Sequence, residues 1–449
     1  MKSDEEKTLK NWISNYSVDY KGRDKVELIY VCIMTFFMGM PLISFAGKSI
    51  SLYLELIFCA YMFFTTLKIR VVDNKFLIAN YLFLIVTFAF SYLGNMTPAY
   101  KKGSFHNTWT ELLLFFTAGY VIYVISKSRF GHEKFFKCIK YTLFLMCNVH
   151  VFWSLIQMLL FKCFQIDINQ TLFVELLHLR ESASVYREGT LCASGIGWHA
   201  AQMASIFVFA YFLNDNSVIL KLCTLAAALL TFNTTTFFGI SLCMAVDFVI
   251  MLVKRDKRKM VFFLILLGGV LVLLFSGHID VLVDKLIYVI EKINGNVESV
   301  SNKLHRQYYT DYFNIMKNSS WINILFGYGS GCSGYIFTKL YGYYEYALHW
   351  SVECDIMDTL YSRGIVGFVC IYGYVVWLFR EALKNKKLWK YAAVIAIIAI
   401  EGITYQIRFT WYLFIEMLFG YMILHGYDFF EPIEFKRVNG KNNEIETGK

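Results

Sequence analysis

The chain has 449 residues, of which 57% are hydrophobic and 18% aromatic, and its mean hydropathy is +0.48. Such values lie outside the range of soluble globular domains and are typical of proteins that cross a membrane several times. The formal net charge of +9 is spread over short segments, and no basic domain is present that would hold a nucleic acid. The 11 cysteines show no CxxC motif or paired Cys/His spacing, which argues against zinc sites and disulfide frameworks.

Apolar runs along the chain predict an all-α polytopic membrane protein with about 12 transmembrane helices, each run of 17–25 residues being one span. The first 25 residues are polar and lysine-rich, unlike a cleavable signal peptide, so we expect the first span to stay in the mature protein. A polar turn, Asn233-Thr234-Thr235-Thr236, divides the long apolar run 217–253 into a helical hairpin. The predicted spans are 26–46, 50–67, 76–93, 109–126, 136–162, 195–213, 217–232, 235–253, 260–276, 355–380, 389–406 and 411–426.

The positions of lysine and arginine predict the orientation, because these residues collect in short loops on the cytoplasmic side. Almost all of the basic clusters fall on one side of the predicted spans, and Lys101-Lys102 is the exception on the other side. Both termini are therefore expected in the cytoplasm. The clusters run from Lys2 to Lys25, from Lys68 to Lys75, from Lys127 to Lys137, from Lys254 to Lys259, from Lys384 to Lys390, and over Lys436-Arg437.

This arrangement divides the chain into four parts. Residues 1–276 form an N-terminal transmembrane bundle of about nine spans, and residues 277–354 form one large extracytoplasmic loop. Residues 355–426 form the C-terminal transmembrane helices, and residues 427–449 form a cytoplasmic tail. The loop is rich in aromatic residues, which either stack on sugar rings or pack together at the membrane surface. They include Tyr308, Tyr309, Tyr312, Trp321 and Tyr328.

The end of the large loop carries three carboxylates, Glu353, Asp355 and Asp358, directly before an apolar run that contains Arg363. Carboxylates beside the hydrocarbon core are costly unless they are solvated, paired or in contact with a substrate. We therefore expect chemistry here, while a helix-start charge at Asp358 and an interfacial anchor at Arg363 are the structural alternatives. Ionisable residues inside predicted spans are either functional or bonded between helices, and they include His150, Asp247, Glu401 and Glu416.

The layout of the chain resembles the O-antigen ligase/polymerase superfamily, and most of all the Wzy-type polymerases of capsule, exopolysaccharide and O-antigen. The large outer loop near three-quarters of the chain, followed by Gly-x-x-Gly at Gly364, carries the resemblance together with two motifs. One motif is Tyr186-Arg187-Glu188-Gly189, with Arg180 as a second candidate arginine. The other is Arg306 followed by the turn Gly327-Tyr328-Gly329-Ser330-Gly331.

One departure from the family pattern favours a polymerase over a ligase. The ligases have a histidine eleven residues before the first glycine of Gly-x-x-Gly, and this chain has Glu353 at that position. The resemblance implies that Glu353 is the general base, that Asp355 and Asp358 orient the acceptor or balance the arginines, and that His349 is a rival base. A carboxylate in a partly dry cavity has its pKa raised toward such a task.

The resemblance also implies which residues bind the diphosphate of the donor. Arginine stabilises the charge on a departing diphosphate through bidentate contacts, and no metal is needed. Arg187 and Arg306 match the arginines of the family motifs. Arg408, in a short outer turn, is a third candidate.

The activity implied is that of a metal-independent, inverting glycosyltransferase of the bacterial inner membrane that needs no cofactor. Its donor is a polyprenyl-diphosphate-linked oligosaccharide, and its expected partners are the lipid bilayer, a flippase and a chain-length regulator. An O-antigen-type ligase and a lipid-linked glycan flippase or transporter are the alternatives. Transporters usually show repeated halves with broken helices, and we find no such repeat in the sequence.

Overall fold

A computed structural model gives the fold, and the part of the chain that it describes is mostly helical. The predicted spans 76–93 and 109–126 lie outside the described residues, as does much of the large loop 277–354. The described residues are 21–45, 48–65, 133–179, 182–187, 190–197, 200–275, 287, 291, 300–329, 354–405, 410–425 and 429–430.

The N-terminal helices are joined by a small β-hairpin. Helix α1 (Lys21–Met38) leads into strands β1 (Ser44–Phe45) and β2 (Lys48–Ser49), and α2 (Ile50–Thr65) follows at once. The prediction of one span over 26–46 was therefore wrong at its C-terminal end. The helix stops because glycine and proline follow it at positions 39 and 41, and both residues favour termination.

Helix α3 (Glu133–Phe164) confirms the helix predicted over 136–162, and an irregular segment follows it. That segment contains a π-helical turn (Gln170–Leu176) and the antiparallel strands β3 (Val185–Arg187) and β4 (Thr190–Cys192). These strands, with β1 and β2, are departures from the all-α prediction. Both sheets have only two strands, so helices still determine the architecture.

The span predicted over 195–213 was wrong at its N-terminal end, because helix α4 covers only Met203–Leu213. Residues 193–197 are buried but not helical, and side chains of α3 bond the backbone of this segment. Gln157 Oε1 accepts from the Ser194 N–H at 3.1 Å, and His150 Nδ1 accepts from the Ile196 N–H at 3.2 Å. Irregular backbone is tolerated at membrane depth only where protein groups satisfy it in this way.

The helical hairpin predicted in the middle of the chain is confirmed. Helix α5 (Val218–Leu229) and helix α6 (Thr234–Lys254) flank the polar turn. Asn233 is the N-cap of α6, and its Oδ1 accepts from the backbone N–H groups of Thr235 at 2.8 Å and Thr236 at 3.2 Å. This cap satisfies donors that the start of a helix otherwise leaves without partners.

The other regular elements of the described residues are helices. Helix α4 lies at the centre of the bundle, with its 11 residues all buried among α3, α5, α6 and α11. Short 3₁₀ turns at Ala200–Gln202 and Lys386–Leu388 precede α4 and α11. The other helices are α7 (Lys257–Phe275), α8 (Val300–Lys317), α9 (Trp321–Phe326), α10 (Asp355–Leu383), α11 (Trp389–Thr404) and α12 (Thr410–His425).

Within the described residues, three helices are long and apolar enough to cross a membrane. They are Lys137–Phe164 in α3, Thr234–Lys254, which is α6, and Asp355–Leu383, which is α10. These helices are typical of a membrane protein. The full count of about 12 spans and the orientation of the spans stay predictions.

Candidate functional site

Helix α10 is a sharply folded pair of helical arms. Gly364 has φ +65° and ψ −167°, which interrupts the helix between a first arm (residues 355–363) and a second arm (residues 365–383). The Tyr372 hydroxyl donates to Asp355 Oδ2 at 2.8 Å, although the two residues are 17 positions apart. A straight helix would separate their Cα atoms by about 26 Å at 1.5 Å per residue, which is beyond the reach of the two side chains. The first arm must therefore fold back along the second.

The folded arms are clamped by the glycine-rich turn of the large loop. Backbone N–H groups of Tyr328 and Gly329 donate to the carbonyls of Tyr361 at 2.7 Å and Ser362 at 2.9 Å, next to the break. A Cβ on Gly364 would lie 2.4 Å from the backbone carbonyl of Leu325. These contacts satisfy carbonyl groups near the break and require glycine where the two backbones meet.

Asp355 is fully buried at the start of the first arm. Besides Tyr372, Thr359 donates to its Oδ2 at 3.4 Å, and its own N–H donates to the carbonyl of Tyr405 at 3.3 Å, just beyond the end of α11. Its carboxylate also lies close enough to Glu416 of α12 to interact electrostatically. The fold thus brings Asp355 to the place where α10, α11 and α12 meet.

Asp358 and Arg363 lie on the same arm and are both 3% exposed. The Asp358 N–H donates to the carbonyl of Cys354 at 2.9 Å, which places Asp358 in the first helical turn. Gly367 makes room for the stem of Arg363, because a Cβ at position 367 would lie 2.3 Å from the Cβ of Arg363. An interfacial anchor is exposed to lipid headgroups, whereas this arginine is enclosed by protein, so that alternative for Arg363 was wrong.

Helices α8 and α9 cover the folded arms. Tyr308 and Tyr312 of α8 are buried, and the ring of Tyr312 lies edge-on to that of Tyr361 with centroids 5.2 Å apart. For these two tyrosines the packing interpretation is correct. Trp321 of α9 is 67% exposed and remains a candidate for stacking on a sugar. Burial raises the pKa of Asp311, which lies on α8 between the two buried tyrosines.

A second buried carboxylate lies near the same end of the bundle. Glu401 of α11 is fully buried, and its Oε1 accepts from the Ser205 N–H at 3.3 Å, in the first turn of α4. The positive end of the α4 dipole stabilises a carboxylate at this position. Tyr412 of α12 lies beside Glu401, and Glu416 follows one turn later on the same face of α12. Glu401, Tyr412, Glu416, Asp355 and Tyr372 therefore form one row of acidic and phenolic side chains.

The remaining predicted site residues are placed only in part. Arg187 ends strand β3, where its Cα pairs with Thr190 of β4, and Arg306 lies in α8, the helix that covers the folded arms. Glu353, His349 and Arg408 lie outside the described residues. Of the predicted site residues, the structure brings the backbone of Arg306 and the side chains of Asp355 and Asp358 to one region.

Sequence reasoning missed several residues of this region. Tyr372 is one of many tyrosines and carries no motif, so only the fold-back of α10 connects it with Asp355. Glu401 and Glu416 were noted as single charges in predicted spans and not as neighbours of Asp355. Cys354 was also missed, and its thiol contacts the Tyr309 hydroxyl at 3.3 Å.

Removing the hydroxyl of Tyr372 tests whether this phenol fixes Asp355. We expect Tyr372→Phe to destabilise the protein by about 1–3 kcal/mol, because a buried carboxylate loses a donor. Thermal unfolding in detergent measures the change. Tyr53→Phe is the control, since the Tyr53 hydroxyl makes an exposed hydrogen bond to Phe45. Equal melting temperatures for the two variants would contradict a structural role for the bond to Asp355.

A scan against protein-family models found none that matches this chain. The curated proteins likewise contain no match to it.

Proposed function

We propose that this chain is a polysaccharide polymerase of the bacterial inner membrane, with its site on the outer face. It transfers a polyprenyl-diphosphate-linked glycan onto the non-reducing-end hydroxyl of another lipid-linked repeat unit, in capsule, exopolysaccharide or O-antigen synthesis. The observation that carries the proposal is the folded α10, which draws Asp355 into the bundle at the end of the large loop. Carboxylates kept in the interior of a membrane protein are functional candidates by default.

The proposed reaction is a single displacement with inversion. Glu353 takes the proton from the acceptor hydroxyl, the acceptor oxygen forms a bond to the anomeric carbon of the donor glycan, and the bond from that carbon to the diphosphate breaks. The departing polyprenyl diphosphate keeps the electron pair, and Arg187, Arg306 and Arg408 stabilise its charge. A carboxylate base near a low-dielectric region has a raised pKa, which suits it to this step.

Asp355 and Asp358 orient the acceptor in this proposal. Asp355 is two residues from Glu353 in the sequence, and its carboxylate is fixed by Tyr372 of the second arm and Thr359 of the first arm. A fixed carboxylate does not need to reorganise at the moment of reaction. The folded arms keep Asp355 and Asp358 out of water, which an exposed loop would not do.

Polysaccharide length in cells that lack this protein tests the proposal. Wild type, Glu353→Gln and Glu381→Gln are expressed at equal membrane abundance, and extracted glycan is separated on a gel. Glu381 is the control because, among the described residues, it forms an ion pair only with the exposed Lys384 at the other end of α10. We expect wild type and Glu381→Gln to restore a ladder, and Glu353→Gln to leave single repeat units.

Three other results would redirect the interpretation. Long glycan that stays on its lipid carrier in the absence of the protein would indicate a ligase. Loss of single units from the outer face would indicate a flippase. A fully active Glu353→Gln variant would remove Glu353 as the base and direct attention to His349.

A further inference from the structure

At the opposite end of α11 from Asp355, five charged side chains form one buried network. Lys221 of α5 contacts both Asp215, at 2.5 Å, and Asp247 of α6. Lys259 of α7 contacts the same two carboxylates at 2.7 and 2.5 Å. Lys390 of α11 contacts Asp215 Oδ2 at 2.7 Å. The network therefore joins the α4–α5 connection to α5, α6, α7 and α11.

The charges in this network do not balance. Three ammonium groups face two carboxylates, and among the described residues no other carboxylate contacts these lysines. Lys221 and Lys259 are 3% and 6% exposed, so the excess positive charge is largely removed from water. Leaving a buried charge uncompensated is costly, and a further anion nearby would remove that cost.

A fourth cation extends the network toward the surface. Arg258 is adjacent to Lys259, and its Nη1 lies 3.4 Å from the Oδ1 of Asn216, the residue after Asp215. Arg258, Lys259 and Lys390 thus converge on residues 215 and 216 from two helices. Each ammonium has three N–H donors and the guanidinium has five, which exceeds the number of contacts these groups make to described residues.

These donors indicate which kind of anion would bind here. Lys259 and Lys390 contact the same carboxylate, Asp215, from different helices, and the exposed Arg258 precedes Lys259, so three cationic side chains lie around residues 215 and 216. Phosphate oxygens accept several charge-assisted hydrogen bonds at once, and arginine contacts them bidentately. Basic pockets between helices at the cytoplasmic side of membrane proteins bind the headgroups of anionic lipids in this way.

We propose that a phosphate group binds at the Asp215 end of the bundle, contacted by Arg258, Lys259 and Lys390. The phosphate belongs to the headgroup of an anionic lipid or to a free phosphate, and the site is independent of the glycan chemistry proposed above. Binding compensates the excess charge of the network and links α7 to α11. The site therefore stabilises the helical bundle when it is occupied.

Lipid titration of the detergent-purified full chain tests the site. Melting temperature is measured with phosphatidylglycerol, with phosphatidylcholine or with inorganic phosphate, and bound lipid is counted by native mass spectrometry. Arg258→Gln is the test variant because Arg258 is exposed and lies outside the buried ion pairs. Lys384→Gln is the matched control, since Lys384 is also exposed and basic but pairs with Glu381 away from the network.

We expect phosphatidylglycerol, and not phosphatidylcholine, to raise the melting temperature of wild type and of Lys384→Gln. Arg258→Gln should bind the lipid about fivefold more weakly, the effect of losing one basic contact. An equal response to inorganic phosphate would support the site and identify free phosphate as its source. The proposal would be overturned if Arg258→Gln and Lys384→Gln bound phosphatidylglycerol equally well. It would also be overturned if neither phosphatidylglycerol nor inorganic phosphate raised the melting temperature of wild type.

Discussion

Gly364→Ala is expected to open the folded arms of α10 and to destabilise the protein by about 3 kcal/mol or more. The backbone at Gly364, with φ +65° and ψ −167°, lies in a region that is essentially restricted to glycine. The added Cβ would also lie 2.4 Å from the carbonyl carbon and oxygen of Leu325 and 2.6 Å from the backbone nitrogen of Gly327. Since these are backbone atoms, no side-chain rotation relieves the overlap.

Gly373→Ala, in the second arm of the same helix, is the matched control. A Cβ at Gly373 meets no atom within 4 Å, and alanine is the better helix former by roughly 0.5–1 kcal/mol. Thermal unfolding in detergent should therefore separate the two variants by several degrees. If the protein is the polymerase proposed above, cells expressing Gly364→Ala should also lose polymer even where the protein accumulates, because Asp355 would separate from Tyr372. Similar unfolding curves for the two variants would show that the arms are not folded at Gly364.

Sequence patterns located helices well where the signal is local. The apolar runs predicted α3, α6, α7, α11 and α12 to within a few residues, and the polar turn at Asn233 predicted the hairpin. Both signals depend only on neighbours in the chain, such as the capping of Thr235 and Thr236 by Asn233. The spans 76–93 and 109–126, which lie outside the described residues, stay predictions of the same kind.

Features that depend on distant residues were not predictable in the same way. Glycine is common within membrane helices, so Gly364 inside an apolar run did not signal a break. The break is stabilised by Tyr328 and Gly329, which lie far from it in the sequence. Similarly, the irregular backbone before α4 depends on His150 and Gln157 of α3. The same limit applies to the candidate site. The sequence shows the acidic residues at the end of the large loop, but it does not show that the Tyr372 hydroxyl bonds to Asp355.

The lysines of the buried network illustrate this limit further. Lys221 lies within a predicted span and Asp247 within the next one, 26 residues away, and only the hairpin brings them together. Lys259 and Lys390 had been counted simply as markers of the cytoplasmic side. In the structure they are paired with buried carboxylates, so the same residues that indicate orientation also connect the helices.

Asp247→Asn is expected to destabilise the bundle by about 3–5 kcal/mol, the usual effect of removing one partner from a buried ion pair. Asp247 is fully buried, and its loss leaves Lys221 and Lys259 to share Asp215, their one other carboxylate partner in the described part of the chain. Lys384→Ala is the control, since its pair with Glu381 is exposed and contributes at most about 1 kcal/mol. Unfolding in a denaturing detergent measures both changes.

The double variant Lys221→Met with Asp247→Leu distinguishes ion pairing from simple loss of packing. Replacing both partners by apolar side chains removes the additional unpaired charge that Asp247→Asn leaves, so the double variant should be more stable than Asp247→Asn alone. A double variant at least as unstable as the single one would show that the charges do not interact as the geometry indicates.

Acidification should weaken the same network. Burial alone would raise the pKa of Asp215, but Lys221, Lys390 and Lys259 outweigh it and hold the pKa well below its ordinary value. A carboxyl group with a lowered pKa in the folded state contributes stability above its unfolded pKa of about 3.9 and loses it as the pH falls further. The stability gap between wild type and Asp215→Asn should therefore be full at neutral pH and shrink as the pH falls below about 4, because Asp215 then takes up a proton in unfolded wild type while its ion pairs keep it charged in the folded protein.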